Sequence, residues 1–191
     1  MSSALPLRRV VLVPLKNFSD AKSRLREVLS ERDVENLTRE LARAVLAAVR
    51  PYETLVVCDD DTVAAFASHC GAAVFRATAR SLNGAVHEAY HSLNGYDQAI
   101  IVHADLRAPS GLGTYQPGPG VTIVTDHHGS GTNVLSLPTG VDFHFSYGPG
   151  SATLHQREAL RLGIACETSI NSPWRFDVDE PGDLESSPDS I

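Results

Sequence analysis

Two lysines and a scatter of aspartates carry most of the chemistry that this sequence offers. Lys16 and Lys22 are the only lysines in the chain; every other cationic side chain is an arginine or a histidine. Both lie in Pro14-Leu15-Lys16-Asn17-Phe18-Ser19-Asp20-Ala21-Lys22-Ser23-Arg24-Leu25. Arg8, Arg9, Lys16, Lys22, Arg24 and Arg26 together put six of the sixteen Lys and Arg residues within nineteen positions. A compact ammonium meets a phosphate oxygen as a point charge where a planar guanidinium does not fit. With a serine and an arginine beside them, the two lysines suit a bound triphosphate. The segment has neither GxxxxGK[ST] nor GxGxxG, so it is not a P-loop or a dinucleotide fingerprint. The plainer reading is an exposed basic helix start.

The acidic counterpart is His103-Ala104-Asp105-Leu106, together with Asp177-Val178-Asp179-Glu180-Pro181 near the C-terminus. Carboxylates from two distant segments suit a magnesium ion bound across phosphate oxygens. Such an ion neutralises charge while one phosphate attacks and pyrophosphate leaves. The local pattern also fits Asp179 as the cap of a short helix whose first turn holds Pro181 and Gly182. Two glycine loops follow: Gly129-Ser130-Gly131-Thr132-Asn133 and Tyr147-Gly148-Pro149-Gly150-Ser151. The second opens a helix whose first amides attract anions, and glycine lets a backbone come close to a ligand. Either alone also reads as an ordinary turn.

His87-Glu88-Ala89-Tyr90-His91 matches the zinc motif HExxH on a predicted helix. Its context argues against zinc. No glutamate lies between Glu88 and Glu158 to complete the ligand set, and Gly95 comes one place too late for the longer motif. Leu82, Val86, Ala89 or Tyr90, and Leu93 form the buried face, which leaves both histidines on the flank.

The elements that must position these residues alternate along the chain. Short apolar runs predict strands over 10–13, 54–58, 73–75, 99–102, 121–124, 133–137 and 165–168. A capping pattern at Ser30 predicts a helix that ends before Pro51. Further helices are expected over 62–70, 82–93 and 151–162. Alternation of this kind implies a mostly parallel sheet covered on both faces. Asp59 and Asp105 fall just after strands, where open α/β sheets bind ligands. The Gly- and Pro-rich 109–120 segment reads as a surface loop.

With 191 residues, 42% hydrophobic and 20% charged, the chain suits one α/β domain over 1–185 with a polar tail at 186–191. A net charge of −7 argues against nucleic acid as a partner. No apolar run approaches the roughly 18 residues of a membrane span. Three cysteines with no CxxC spacing point to a reducing cytoplasm.

Taken in order, these pieces resemble the CofC/FbiD family of phospho-acid guanylyltransferases. The opening Pro14-x-Lys16-x5-Ala21-Lys22-Ser23-Arg24-Leu25 is similar to that family's first motif. Leu82-Asn83-Gly84-Ala85, Ala104-Asp105-Leu106, Gly131-Thr132-Asn133, Phe145-x-Tyr147-Gly148-Pro149-Gly150-Ser151 and Asp177-Val178-Asp179-x-Pro181-x-Asp183-Leu184 follow in the family's order. The resemblance implies a GT-A-like nucleotidyltransferase fold, with a mixed sheet flanked by helices. It implies transfer of GMP from GTP to a small three-carbon phospho-acid, with release of pyrophosphate, in the biosynthesis of the deazaflavin coenzyme F-420.

By resemblance, Lys16, Lys22 and Arg24 face the GTP phosphates, and Asp59, Asn83 and Gly84 line the nucleotide. Asp105, Asp177 and Asp179 hold Mg2+, while Thr132, Gly148 and Ser151 bind the acceptor. The acceptor is left open among phosphoenolpyruvate, 2-phospho-L-lactate and 3-phospho-D-glycerate. So are a homodimer and a partnership with a downstream deazaflavin transferase. His103 and Arg107 stand where the family often has proline. The competing readings are a molybdopterin-type guanylyltransferase, a zinc hydrolase and a non-catalytic GTP-binding protein.

Overall fold

A computed structural model describes residues 7–20 and 22–185; Ala21 and the expected tail at 186–191 lie outside the described residues. Seven strands form one sheet: β1 (Arg9–Pro14), β2 (Glu53–Cys58), β3 (Ala73–Arg76), β4 (Gln98–Val102), β5 (Val121–Thr125), β6 (Thr132–Pro138) and β7 (Cys166–Ser169). Their order is β3-β2-β1-β4-β6-β5-β7. Every pairing is parallel except those of β6, which runs antiparallel to both β4 and β5. The expected mixed, mostly parallel sheet is therefore present.

The helices are α1 (Glu31–Ala48), α2 (Asp61–His69), α3 (Leu82–His91), α4 (Ser151–Arg161) and the short α5 (Pro181–Glu185). Strand side chains alternate between faces, and β1 uses both. Val11 and Val13 pack with Ala42, Val45 and Leu46 of α1 and with Phe66 of α2. Val10 and Leu12 pack on the other face with Val86 and Tyr90 of α3 and Ala159 of α4. A strand buried on both sides reads as an unbroken apolar run, as 10–13 does.

Side-chain caps start α1, α2 and α3 where the sequence places them. Ser30 Oγ accepts from Asp33 N at 3.2 Å to open α1. Asp60 Oδ1 accepts from Thr62 N and Val63 N at 2.8 and 3.0 Å to open α2. Ser81 Oγ accepts from Gly84 N at 3.1 Å to open α3. The Asp59-Asp60-Asp61 run thus divides its work: Asp60 caps, and Asp59 is left exposed at the strand end. Among the described residues, no helix is long and apolar enough to cross a membrane.

Because β1, β2, β3 and β4 all run parallel, the loops that follow them share one edge of the sheet. The C-terminal segment returns to that edge. Leu106 and Asp177 form an antiparallel bridge, Arg107 N donates to Phe176 O at 2.8 Å, and Val178 N donates to Asp105 O at 3.1 Å. These backbone bonds fix two segments some seventy residues apart before any side chain is considered.

Candidate active site

At that edge lies an open cavity of about 360 Å³, and Lys16, Lys22, Asp59, Asp105 and Asp179 line it. Lys22 is its focal cation. The Nζ donates to Asp105 Oδ2 at 2.9 Å, to Asp179 Oδ1 at 3.0 Å and to the carbonyl of Val178. Only 4% of its side chain is exposed. Burial alone would lower the ammonium's pKa, but Asp105 and Asp179 outweigh it and the net shift is upward. The same balance holds in reverse for Asp105. Its burial works to raise the pKa, and Lys22 brings it below the usual carboxylate range.

Asp177 completes the acidic group. Asp105, Asp177 and Asp179 each offer an oxygen within 4.8 Å of the other two. Burial, followed by the charges of Asp105 and Asp179, raises the pKa of Asp177. Asn133 on β6 steadies this side chain: its Nδ2 donates to Asp177 Oδ1 at 3.4 Å and to Trp174 O at 3.1 Å. Three carboxylates facing one ammonium leave an excess of negative charge that a divalent cation would balance. Asp105 Oδ1 is buried and has no hydrogen-bond partner among the described residues. A buried oxygen without a partner is costly, and hard oxygen donors in this number suit a small divalent cation. The residues present therefore fit magnesium. The side chain of Asp179 turns to Lys22 rather than to α5; Asp183, inside that helix, reaches back instead, with its Oδ2 accepting from Asp179 N and Glu180 N at 2.9 and 2.8 Å.

Arg24 is exposed and forms an ion pair with Glu180, beside Asp179 but outside the cavity lining. Lys16 is exposed on the lining itself. Asn83 and Gly84 do not line the cavity and instead stand behind it. Asn83 makes a reciprocal pair with the backbone of Tyr147, with Nδ2 to O at 3.1 Å and N to Oδ1 at 2.6 Å. That pair fastens α3 to the second glycine loop. A Cβ on Gly84 would lie 2.7 Å from the Ala79 Cβ, so glycine is what lets the loop before α3 come so close.

Thr132 and Ser151 are brought together but turned inward, at 3% and 1% exposure, whereas the resemblance has them facing an acceptor. Ser151 Oγ donates to Thr132 Oγ1 at 3.0 Å. Beneath them His155 Nε2 accepts from Ser146 N at 3.0 Å, so the proton of the neutral ring sits on Nδ1 and points to Thr132 Oγ1 at 3.2 Å. Burial lowers the His155 pKa to about 4, in keeping with a neutral ring. Gly148 is exposed, with φ at 128°.

The zinc reading receives no support from the geometry. His87 and His91 are exposed with ring centroids 4.2 Å apart, and neither belongs to a potential metal-binding group among the described residues. Glu88 is already engaged, accepting from Thr78 N at 2.7 Å, Thr78 Oγ1 at 2.6 Å and Ala79 N at 3.1 Å. Sequence reasoning missed this role, as it missed Asn133 behind Asp177 and His155 beneath Thr132. The Asn133 signal was present in the Gly131-Thr132-Asn133 motif. No motif marked the other two, since their partners lie in neighbouring loops and strands, outside the helix that carries each.

Comparison with known proteins agrees with this architecture. A chain from Desulfovibrio desulfuricans described as a nucleotide-diphospho-sugar transferase superposes with a TM-score of 0.69 at 15% identity, covering 94% of this chain and 85% of that one. At that identity the likeness concerns the fold. A phosphoenolpyruvate guanylyltransferase of Rubrobacter xylanophilus is 34% identical over 184 residues, spanning 91% of this chain and 90% of its own. A 3-phospho-D-glycerate guanylyltransferase of Colwellia psychrerythraea is 28% identical, spanning 94% and 90%. Residues 9–186 match the family described as guanylyl transferase CofC like. From β1 to α5, then, the chain belongs to the CofC-like guanylyl transferase family.

Proposed function

We propose that this enzyme transfers GMP from GTP to the phosphate of a small three-carbon phospho-acid in deazaflavin coenzyme biosynthesis. The observation that carries the reading is Lys22 Nζ held between Asp105 and Asp179 on the wall of the cavity. An oxygen of the acceptor phosphate attacks the α-phosphorus of GTP. The bond from that phosphorus to the bridging oxygen of the β-phosphate breaks, and pyrophosphate leaves with the electron pair. Chemistry of this kind asks the protein for positioning and charge rather than for a nucleophile.

Lys22 and Lys16 supply positive charge to the phosphates, and Arg24 adds a guanidinium close by. Asp105, Asp177 and Asp179 would hold magnesium. When bound, the ion supplies charge neutralisation across the phosphate oxygens. Asn83 keeps the Tyr147–Gly150 loop against α3. In this reading the exposed Gly148 marks the acceptor side, and the inward-turned Thr132–Ser151 pair supports its loop from within. The acceptor is one of phosphoenolpyruvate, 2-phospho-L-lactate and 3-phospho-D-glycerate. Phosphoenolpyruvate is the first to test, because the Rubrobacter relative bears its name.

The test is pyrophosphate release from GTP and magnesium with each acid in turn, with and without the downstream deazaflavin transferase. Release that depends on one acid supports the reading and identifies the acceptor. Folded protein that releases none with any of the three, under either condition, contradicts it.

A further inference from the structure

The HExxH segment acquires a different meaning from its contacts. Glu88, on the second half of α3, reaches back ten residues to the loop between β3 and α3. Its two carboxylate oxygens take both the hydroxyl and the amide of Thr78, and the amide of Ala79 as well. The loop is fixed at its other points too. Ala77 N donates to Cys58 O at 2.9 Å, and Ser81 Oγ caps α3 through Gly84 N at 3.1 Å. Between these anchors, Ala79, Arg80 and Ser81 line the same cavity as Lys22 and Asp105.

Where this loop stands along the sheet decides what it would touch. Lys16 and Lys22 follow β1, Asp105 follows β4, and the Thr78–Ser81 loop follows β3 at the opposite end of the cavity edge. β3 is three strands from β4, about 14 Å at ~4.8 Å per strand. The cavity runs from Lys22 and Asp105 past Asp59 to Ala79, Arg80 and Ser81, so a nucleotide with its phosphates over β1 and β4 would have room for its ribose and base toward β2 and β3.

We propose that Glu88 is a positioning residue whose carboxylate holds the Thr78–Ser81 loop in the shape that receives the nucleoside end of the substrate. The proposal rests on the guanylyltransferase reading above, which supplies the nucleotide. In this account the glutamate of the apparent zinc motif works from behind the site. It touches no reacting atom, and the two histidines beside it take no part.

The test compares wild type with Glu88→Gln, which keeps the shape but loses the charge and one acceptor oxygen, and with Thr78→Val, which loses the hydroxyl from the other side. Binding of GTP with magnesium is read by calorimetry alongside steady-state kinetics, below the melting temperature of every variant. Glu88→Gln should weaken GTP binding roughly tenfold and raise its KM to match, with kcat and the KM of the acid little changed. Thr78→Val should weaken GTP binding less. The double variant should weaken it by less than the product of the two single effects, because both remove one interaction. Removal of metal by a zinc-selective chelator should change nothing.

Unchanged GTP affinity in Glu88→Gln overturns the proposal, as does an effect confined to the acid or to kcat. Stoichiometric zinc whose loss abolishes activity also overturns it. If Glu88→Gln does not fold, Thr78→Val decides: GTP affinity equal to wild type overturns the proposal, and a loss supports it. ATP, CTP and UTP are titrated in parallel to separate this proposal from the reading beneath it. Wild type that binds only another nucleotide refutes GTP as the substrate, and Glu88 is then judged on the nucleotide that binds. Wild type that binds none overturns both.

Discussion

Lys22 meets Asp105 at 2.9 Å across 83 residues of sequence, and it does so from a left-handed backbone with φ at 53° and ψ at 49°. No other non-glycine among the described residues has a positive φ. A side chain in that region costs about 1–2 kcal/mol, and such strain gathers where function requires a particular geometry. The strained backbone aims the ammonium between two carboxylates from other segments of the chain.

Lys22→Ala should therefore keep the fold and lower turnover on the order of 10²–10³-fold, the usual cost of removing one preorganised donor. Lys22→Gly should be equally inactive but more stable than the alanine variant by about 1 kcal/mol, since glycine adopts the left-handed region without penalty. Steady-state kinetics and chemical denaturation check the two halves. An alanine variant with full turnover would remove this lysine from the mechanism.

Asp105→Asn should abolish magnesium-dependent turnover. It should also remove the rise in melting temperature that magnesium gives the wild type through preferential binding to the folded state. The thermal shift can be read without substrate. A variant that stays active, or is still stabilised by magnesium as the wild type is, contradicts the assignment of Asp105 to the metal.

His155 predicts a pH dependence away from the cavity. Its folded pKa is lowered from 6.5 to about 4, so between those values the unfolded chain binds more protons than the folded one. Stability should be full above pH 6.5 and fall as the pH drops to about 4, by up to about 3 kcal/mol. His155→Leu should lose roughly 1–3 kcal/mol at neutral pH by leaving the Ser146 amide without a partner. It should also flatten this part of the curve. Urea unfolding at several pH values reads both, and a variant with the wild-type pH profile would contradict the assignment.

Gly84→Ala separates stability from binding. Helix propensity favours alanine by about 1 kcal/mol, while the contacts of 2.7 Å to Ala79 Cβ and 3.0 Å to Ser81 Oγ force the loop to move. Overpacking of this kind costs about 1–3 kcal/mol, so the net change in stability should be small. The KM for GTP should rise roughly tenfold or more, because a displaced loop costs binding even where the fold survives. A KM equal to that of the wild type would show that the loop does not contact the nucleotide.

The sequence was most informative where one residue type reports its own environment. The unbroken apolar run of β1 announces burial on both faces, and Ser30 announces the start of α1. Asp105 and Asp179 could be matched because each stands in a short motif, and the backbone bridge at Leu106 and Asp177 then brings them together. What was not legible depends on partners chosen by register. The reversed direction of β6 is set by its pairing with β4 and β5, and an apolar run reads alike in either direction. Thr132 and Ser151 read as ligand-binding hydroxyls, and only the packing of His155 beneath them turns them inward. Glu88 read as part of a metal motif because it stands beside His87, which helical spacing aligns with His91, while its partner Thr78 lies in the loop before its own helix.

The most direct measurement is phosphorus NMR of the products formed from GTP, magnesium and the accepted acid. Free pyrophosphate should appear in equal amount with a new diphosphate joining GMP to the acid, seen as two coupled phosphorus resonances. GDP with inorganic phosphate as the products, or pyrophosphate with free GMP and an unaltered acid, would contradict it.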